Sequence, residues 1–365
     1  MFDKKLFKDF DRVVVIVTLC IVIFGLLVLY SATQARGLPF TKGFVMKQAS
    51  WLAISTVVFL VIVSVPYQRW LDLGYAFYGI NIILLVLVLV IGHTRLGAQR
   101  WFAIGSFAFQ PSEFIKANLI LAMAGYIGSK KDDMVSLRSL FIPIVLLGIP
   151  FLLVLVQPDL GSALLLLPIF FAMLIVGGAR MKYILIMIGL GIAVLPLFWH
   201  VLHDYQRQRL LVFLDPNIDP LGAGYTIIQS KIAIGSGGLL GKGWLAGTQN
   251  QLNFLPERHT DFIFSVVGEE WGFIGALALI LLYFLVISRM FRIAFTTSDM
   301  YGRLIAVGVA TLLMLQVTIN VGMTMGMLPV VGIPLPLVSY GGSSLLATFF
   351  AIGLVLNVGM RRSTF

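Results

Sequence analysis

Apolar residues run in long blocks along this chain, and polar positions fall between the blocks rather than alternating within them. A block of about 17 to 25 apolar residues lets a helix cross roughly 30 Å of hydrocarbon with its own backbone groups satisfied. The blocks predict ten helices, at about 13–31, 49–65, 73–92, 112–128, 139–157, 161–178, 183–202, 262–288, 304–326 and 344–360. The fold expected is all-α and membrane-integral: one bundle of about ten transmembrane helices, a single polytopic domain over residues 1–365. Connections are short except for residues 203–261, between the seventh and eighth helices, a stretch rich in Gly, Asp, Pro and Asn. A connection that long inside a compact protein is typically functional or disordered.

Composition agrees with the pattern: 59% of the 365 residues are hydrophobic and 12% charged, and mean hydropathy is +0.99. The first apolar block follows "MFDKKLFKDFDR" with no small-residue cleavage site behind it, so it reads as a retained signal anchor. The single cysteine, Cys20, lies inside that block, which excludes disulfides and cysteine metal sites.

Charge sets the expected orientation. The amino terminus, residues 66–72, 129–138, 179–182 and 289–303 and the carboxyl terminus together hold 15 of the 26 basic residues against seven acids. These segments are expected on the cytoplasmic side, so both termini are cytoplasmic and 203–261 is extracytoplasmic. The chain's +10 charge therefore records cytoplasmic loops and gives no support to nucleic-acid binding.

Charges at membrane depth are costly unless paired or hydrated, which makes each a functional candidate. Glu113 and Lys116 in "FQPSEFIKAN" share a helix face and either neutralise one another or serve a site; Ser112 is a candidate cap, after Pro111. In "LPERHTDFIFSVVGEEWG" Asp261 stands where loop becomes helix, a favoured N-cap position. Glu269 would sit about 12 Å deeper and about 80° round, with Glu270 roughly opposite, too far for a two-carboxylate glycosidase site within one helix. Both are expected to bond neighbouring helices. "GSGGLLGKGW" fails the P-loop pattern at Ser236 and Gly243, although its glycine amides and Lys242 could meet a pyrophosphate if it is not simply a flexible turn. "LPVVGIPLPLVSYGGSS", with Ser339 and Ser343, is irregular backbone that membrane depth tolerates only against protein or a wet cavity. Gln316 and Asn320 share a face of the preceding helix and either line that cavity or bond between helices. His259 stands beside Arg258, while His93, His200 and His203 sit at other helix ends, so no histidine cluster marks a metal.

Four of these stretches, "PERHTDFIFSVVGEEWG", "DPLGAGYTIIQSKIAIGSGGLLGKG", "LGAQRWFAIGSFAFQPSEFIK" and "GIPLPLVSYGGSS", resemble the SEDS family of shape, elongation, division and sporulation proteins, most closely its elongation branch. The resemblance runs from about residue 85 to the end, the first 80 or so fitting by topology. It implies a ten-helix peptidoglycan glycosyltransferase that polymerises lipid II on the outer face of the bacterial cytoplasmic membrane. The family's catalytic aspartate falls on Asp261, and its Glu and Lys fall on Glu113 and Lys116. Division-type relatives often carry a basic residue where Ala108 stands, so Arg100 is the substitute cation. Lys242, Arg258, His259, Ser339 and Ser343 complete the expected supporting set.

The chemistry needs one base for an acceptor hydroxyl and positive charge for a departing polyprenyl pyrophosphate, supplied by side chains or by a divalent cation, Mg or Mn. Apolar surroundings would strengthen an aspartate base and a helix amino terminus would weaken it. The resemblance also implies a partner, a class B penicillin-binding protein with transpeptidase activity, joined through its membrane helix and outer domain. The rival reading is a transporter that flips lipid II. It differs in depth, since a flippase needs charges reaching both faces.

Overall fold

The structure, a computed structural model, describes residues 10–34, 42–95, 98–104, 107–130, 136–202 and 204–362. The basic residues counted in 1–9 and 131–135, and His203, lie outside them. In chain order the elements are α1 (Arg12–Thr33), α2 (Lys42–Ser64), a short α3 (Tyr67–Asp72) and α4 (Gly74–Ile91). A small antiparallel ribbon follows: β1 (His93–Arg95), β2 (Ala98–Ile104) and β3 (Phe107–Phe109). Then come α5 (Pro111–Lys130), α6 (Leu137–Val156), α7 (Leu160–Val176), α8 (Met181–Val201), α9 (Asp204–Leu214), α10 (Ala223–Ser236) and α11 (Thr248–Gln251). The chain closes with α12 (Ile263–Thr296), α13 (Met300–Thr324) and α14 (Gly342–Arg361).

All ten expected long helices are present, and the fold is the expected all-α membrane type. Among the described residues seven helices are long and apolar enough to cross a membrane, α7 and α8 hold shorter apolar stretches, and α5 carries Glu113 in its first turn. Two expectations change. The described residues of 93–109 form the β-ribbon rather than a plain loop, and 204–261 holds α9, α10 and α11, anchored by buried Val212, Ile227, Ala233 and Leu255. Apolar residues spaced along a polar segment gave that stretch a core side that its glycines and prolines masked.

Asp11, Asp159 and Asp299 cap α1, α7 and α13 by accepting from first-turn amides, which satisfies donors that no helix can pair internally. α13 and α14 form the centre, with 72% and 83% of their membrane-length windows buried. α13 packs against α5, α7, α12 and α14, and α2 lies along α14. α8 is exposed along most of its length, an apolar surface suited to lipid.

The α12 helix is broken at Gly272, whose backbone (φ 62°, ψ −162°) only glycine adopts readily. Residues 237–243 are spliced into the gap. The amides of Lys242 and Gly243 donate to the carbonyls of Glu269 and Glu270, both at 3.0 Å, while those of Phe273 and Ile274 donate to Gly238 and Leu239, at 2.9 and 3.1 Å. A Cβ on Gly241 would lie 2.2 Å from the Glu270 carbonyl oxygen. The glycines of "GSGGLLGKG" thus allow backbone to meet backbone.

The irregular segment between α13 and α14 runs back into the bundle, with Ile333, Leu335, Leu337 and Val338 buried against protein as such backbone requires.

Candidate active site

Residues 259–261 are held by their carbonyls. The Tyr340 amide donates to His259 at 2.9 Å, the Ser339 hydroxyl to Thr260 at 2.6 Å, and the Asn320 side-chain amide to Asp261 at 2.9 Å. The turn that delivers Ser339 is itself closed by the Leu335 amide, which donates to the Ser339 hydroxyl at 2.8 Å. From α2, Gln48 brackets it by donating to the Ser339 carbonyl at 3.3 Å and accepting from the Gly341 amide at 3.2 Å.

This grip displaces the N-cap expectation for Asp261. The cap residue of α12 is Phe262, with no side-chain cap, and among the described residues no hydrogen bond reaches the Asp261 carboxylate. Oδ2 lies against Gly332, 3.3 Å from where a Cβ would stand, and Nη1 of Arg209 is 3.9 Å from the same point. A side chain at 332 would crowd the Asp261 carboxylate, and the positive φ there (73°) independently favours glycine.

Asp261 is half-buried but ringed by protein, and its pKa is raised from the usual carboxylate value to about 6. Burial is the main cause, followed by the negative charge of Glu257; Arg209 opposes these, Asp159 adds to them and Arg100 opposes them. A carboxylate so placed is unbonded, partly open and closer in basicity to neutral pH, which are the properties of a general base.

A second group lies alongside. Arg100 donates through Nε to the Gln157 carbonyl at 2.9 Å and through Nη2 to the Pro158 carbonyl, and its Nη1 is 3.8 Å from Asp159 Oδ1. Buried Asp159 also accepts from the Ser112 hydroxyl at 3.2 Å and from the Gln110 side-chain Nε2 at 3.4 Å. Ser112 therefore serves Asp159 rather than capping α5. The β-ribbon positions Arg100, and the Ser343 hydroxyl ties that ribbon to α14 by accepting from the Gln110 amide at 3.0 Å and donating to the Ala108 carbonyl at 3.2 Å.

Glu113 and Lys116 form a 2.8 Å ion pair, 5% and 2% exposed. The pair lines a narrow cleft between α5, α13 and α14, together with Gln316 and Thr348. It does not touch Asp261. Its link to the base is α13, where Gln316 faces the cleft and Asn320, one turn on, holds the Asp261 main chain.

The remaining expected residues are structural anchors. Lys242 Nζ donates to Glu269 Oε1 and Thr248 Oγ1, each at 2.8 Å, and the amides of Gly241, Lys242 and Gly243 are already bonded, so this loop is no anion cradle. Glu269 also accepts from the amides of Gln249 and Asn250, at 2.9 and 3.2 Å. It thus bonds the first turn of α11, a neighbouring helix as expected, as well as Lys242. Glu270 does join α1, accepting from the Ser31 hydroxyl at 2.5 Å. Arg258 donates to the Ala32 carbonyl at 2.7 Å, fastening the loop to the end of α1. The His259 ring packs 4.9 Å from Phe44 and 6.0 Å from Tyr340, and burial lowers its pKa, with Glu257 opposing and Arg258 assisting.

Among the described residues no three His, Cys, Asp or Glu side chains converge as metal ligands. The nearby carboxylate Asp159 is occupied by Arg100, Ser112 and Gln110. The positive charge that acts on Asp261 is guanidinium, from Arg209 and Arg100.

Sequence reasoning missed Arg209 and Asp159. Arg209 lay in a stretch taken for loop, and nothing local distinguishes it from Arg207; Arg207 donates to the Trp199 and His200 carbonyls, whereas Arg209 donates to the Val330 carbonyl at 3.2 Å, beside Gly332. Asp159 carried a signal, an acid three residues before Ser162 at a helix start, but that signal describes a cap, which it also is.

Comparison with known proteins adds a separate line of support. The FTSW_RODA_SPOVE family, described as cell cycle protein, matches residues 11–364. The peptidoglycan glycosyltransferase MrdB of Escherichia coli (strain K12) is 43% identical over 367 residues, covering 99% of this chain and 97% of that protein. A chain from a peptidoglycan synthase complex, described as coordinating polymerization and crosslinking, superposes with a TM-score of 0.83 at 36% identity, covering 98% of this chain and 99% of its own. The crystal structure of rod shape determining protein RodA from Thermus thermophilus gives a TM-score of 0.73 at 32% identity over 97% of both chains.

Proposed function

Because the chain belongs to the FTSW_RODA_SPOVE family of cell cycle proteins, we propose that it is a peptidoglycan glycosyltransferase polymerising lipid II with Asp261 as its general base. The observation that carries the assignment of the base is the carboxylate itself: unbonded, ringed by protein, raised to about 6 and flanked by Arg209 and Arg100. In the reaction Asp261 takes the proton of an acceptor sugar hydroxyl as that oxygen bonds to the donor's anomeric carbon. The bond from that carbon to the polyprenyl pyrophosphate breaks, and the pyrophosphate leaves with the electron pair. Its charge needs stabilisation rather than protonation, and guanidinium groups suit that role because they stay charged and bind phosphate oxygens through two N–H groups. Arg209 and Arg100 are the candidates. No step is routed through a metal.

The reading places the Asp261 end outside the bacterial cytoplasmic membrane and both termini inside, supported by the basic bias of the segments at the other end. There a membrane-anchored lipid presents its sugars to a half-buried base. For a partner, the complex to which this chain is similar supports a crosslinking enzyme of the class B penicillin-binding type. The exposed face of α12, with Phe273, Ile274, Leu277, Leu281 and Phe284, beside α13 offers a membrane helix an apolar seat.

Asp261→Asn tests the enzyme reading. The cap is Phe262, so the variant should insert and fold normally, while loss of a general base lowers the rate by about 10² to 10⁴. Near-normal glycan synthesis from lipid II by the purified, folded variant would shift the balance to the lipid II transporter.

A further inference from the structure

We propose that Asn320 is the positioning residue of the base, setting the place of Asp261 from the centre of the bundle. The proposal rests on the reading of Asp261 as base. Of the three carbonyls gripped at 259–261, the first two are held by residues of the 328–341 segment. Only the third, that of Asp261 itself, is held from a helix. That helix is α13, one of the two central helices, and Asn320 is 0% exposed within it.

The same nitrogen makes a second bond. Asn320 Nδ2 donates to the Ile333 carbonyl at 2.8 Å as well as to that of Asp261 at 2.9 Å. Ile333 follows Gly332, the residue against which the Asp261 carboxylate lies. One amide group therefore fixes the distance between the base and the floor beneath it. Its orientation is unambiguous, because both partners are carbonyl oxygens and only the nitrogen end can serve them.

The other end of the side chain separates this role from ordinary packing. Asn320 Oδ1 is buried and has no hydrogen-bond partner. A buried polar atom left unpaired is destabilising, so filling space or joining two helices would be better done by an apolar residue or by an amide bonded at both ends. Two donors from one rigid point are what the side chain supplies. Pinning the Asp261 carbonyl fixes the peptide plane next to its Cα and so the point from which the carboxylate projects. Proton transfer demands that accuracy, since a base must come within about 2.6–3.2 Å of the proton's oxygen, and a misplacement of about 1 Å can cost 10²-fold in rate.

The test compares purified Asn320→Leu, similar in volume but without donors, with Asn320→Thr, which keeps one donor. Polymerisation from lipid II is followed at varied substrate concentration, per folded molecule as judged by thermal melting. The expected result is turnover about 10- to 100-fold lower in the leucine variant, an unchanged half-saturating lipid II concentration, and partial recovery with threonine. Adding Asn320→Leu to Asp261→Asn should lower the residual rate no further, because a positioning residue acts only through the group it positions. A folded leucine variant with wild-type turnover, or one that only weakens substrate binding, overturns the proposal; so does an additive double variant. If the leucine variant does not fold, the threonine variant decides, and wild-type turnover there is equally fatal. Should Asp261→Asn alone polymerise at a near-normal rate, the reading of the base fails instead.

Discussion

The pH dependence of polymerisation should carry the imprint of the charges around Asp261. With its pKa at about 6, the carboxylate is about one-tenth ionised at pH 5 and about nine-tenths ionised at pH 7, so a reaction that needs the ionised base should quicken close to tenfold between them. An ordinary aspartate would be ionised at both and give almost no change. Burial is the leading cause and cannot be removed cleanly, but the two next causes can. Glu257→Gln keeps an acceptor for the Thr260 hydroxyl, which now donates to Glu257 at 3.0 Å, and removes only the charge. The acid limb should move to lower pH. Arg209→Gln removes the leading opposing charge, and the limb should move to higher pH, with a lower plateau if Arg209 also meets the pyrophosphate. The assay is the initial rate of glycan formation from lipid II between about pH 4.5 and 8.5, at fixed ionic strength because exposed charges are screened by salt. Titration of the substrate's phosphates is common to all variants and cancels in their comparison. A wild-type rate flat from pH 5 to 7, or shifts of the same sign in both variants, would refute this account. The stability consequence has a definite sign. A carboxylate whose pKa is raised on folding favours the folded state below its unfolded pKa, and that contribution is lost as pH rises through about 6. Asp261→Asn should therefore melt at the same temperature as wild type or somewhat higher at pH 7.5, and no differently below about pH 4.

Three other outcomes follow from the geometry. Lys116→Met leaves Glu113 charged and buried and should destabilise by about 3–5 kcal/mol, whereas Glu113→Leu with Lys116→Met should recover the melting temperature but not polymerisation; a folded double variant of full activity would make the pair merely structural. Gly241→Val forces a β-branched residue into positive φ and against the Glu270 carbonyl, so the melting temperature should fall, and an unchanged value would contradict the splice seen at Gly272. Photocrosslinkers at Phe273, Leu277 or Phe284 should capture a crosslinking enzyme's membrane helix in cells where both work; capture only from α8 would move the seat elsewhere.

Most of the bundle was legible because hydrophobic block length reports directly on crossing a membrane. Helix ends were less so. The α2 helix begins at Lys42, about seven residues before its expected start, because Gln48 is bonded into the 339–341 turn and a polar residue with a buried partner looks like loop from sequence. The 203–261 segment was misread for the opposite reason: its turn residues are real, but they punctuate helices rather than replace them. Cap signals were ambiguous in kind. Asp159 looks like a cap, is one, and also organises Arg100; Asp261 looks like a cap and is not one.

The glycine-rich stretch shows why local pattern could not separate the two meanings of its residues. Glycines and a lysine beside a helix are what an anion cradle needs, and the same composition suits a strand of backbone entering a broken helix. What decides is where the amides point, which depends on residue 272 some 30 positions away. Here the amides of Lys242 and Gly243 are spent on α12 carbonyls and Lys242 on Glu269. A phosphate cannot take the place of a backbone carbonyl without opening that splice. The positive charge for a leaving group must then come from elsewhere, and the guanidinium groups whose charge acts on the Asp261 carboxylate are Arg209 on α9, held at the Val330 carbonyl, and the β-ribbon's Arg100, held at Gln157, Pro158 and Asp159.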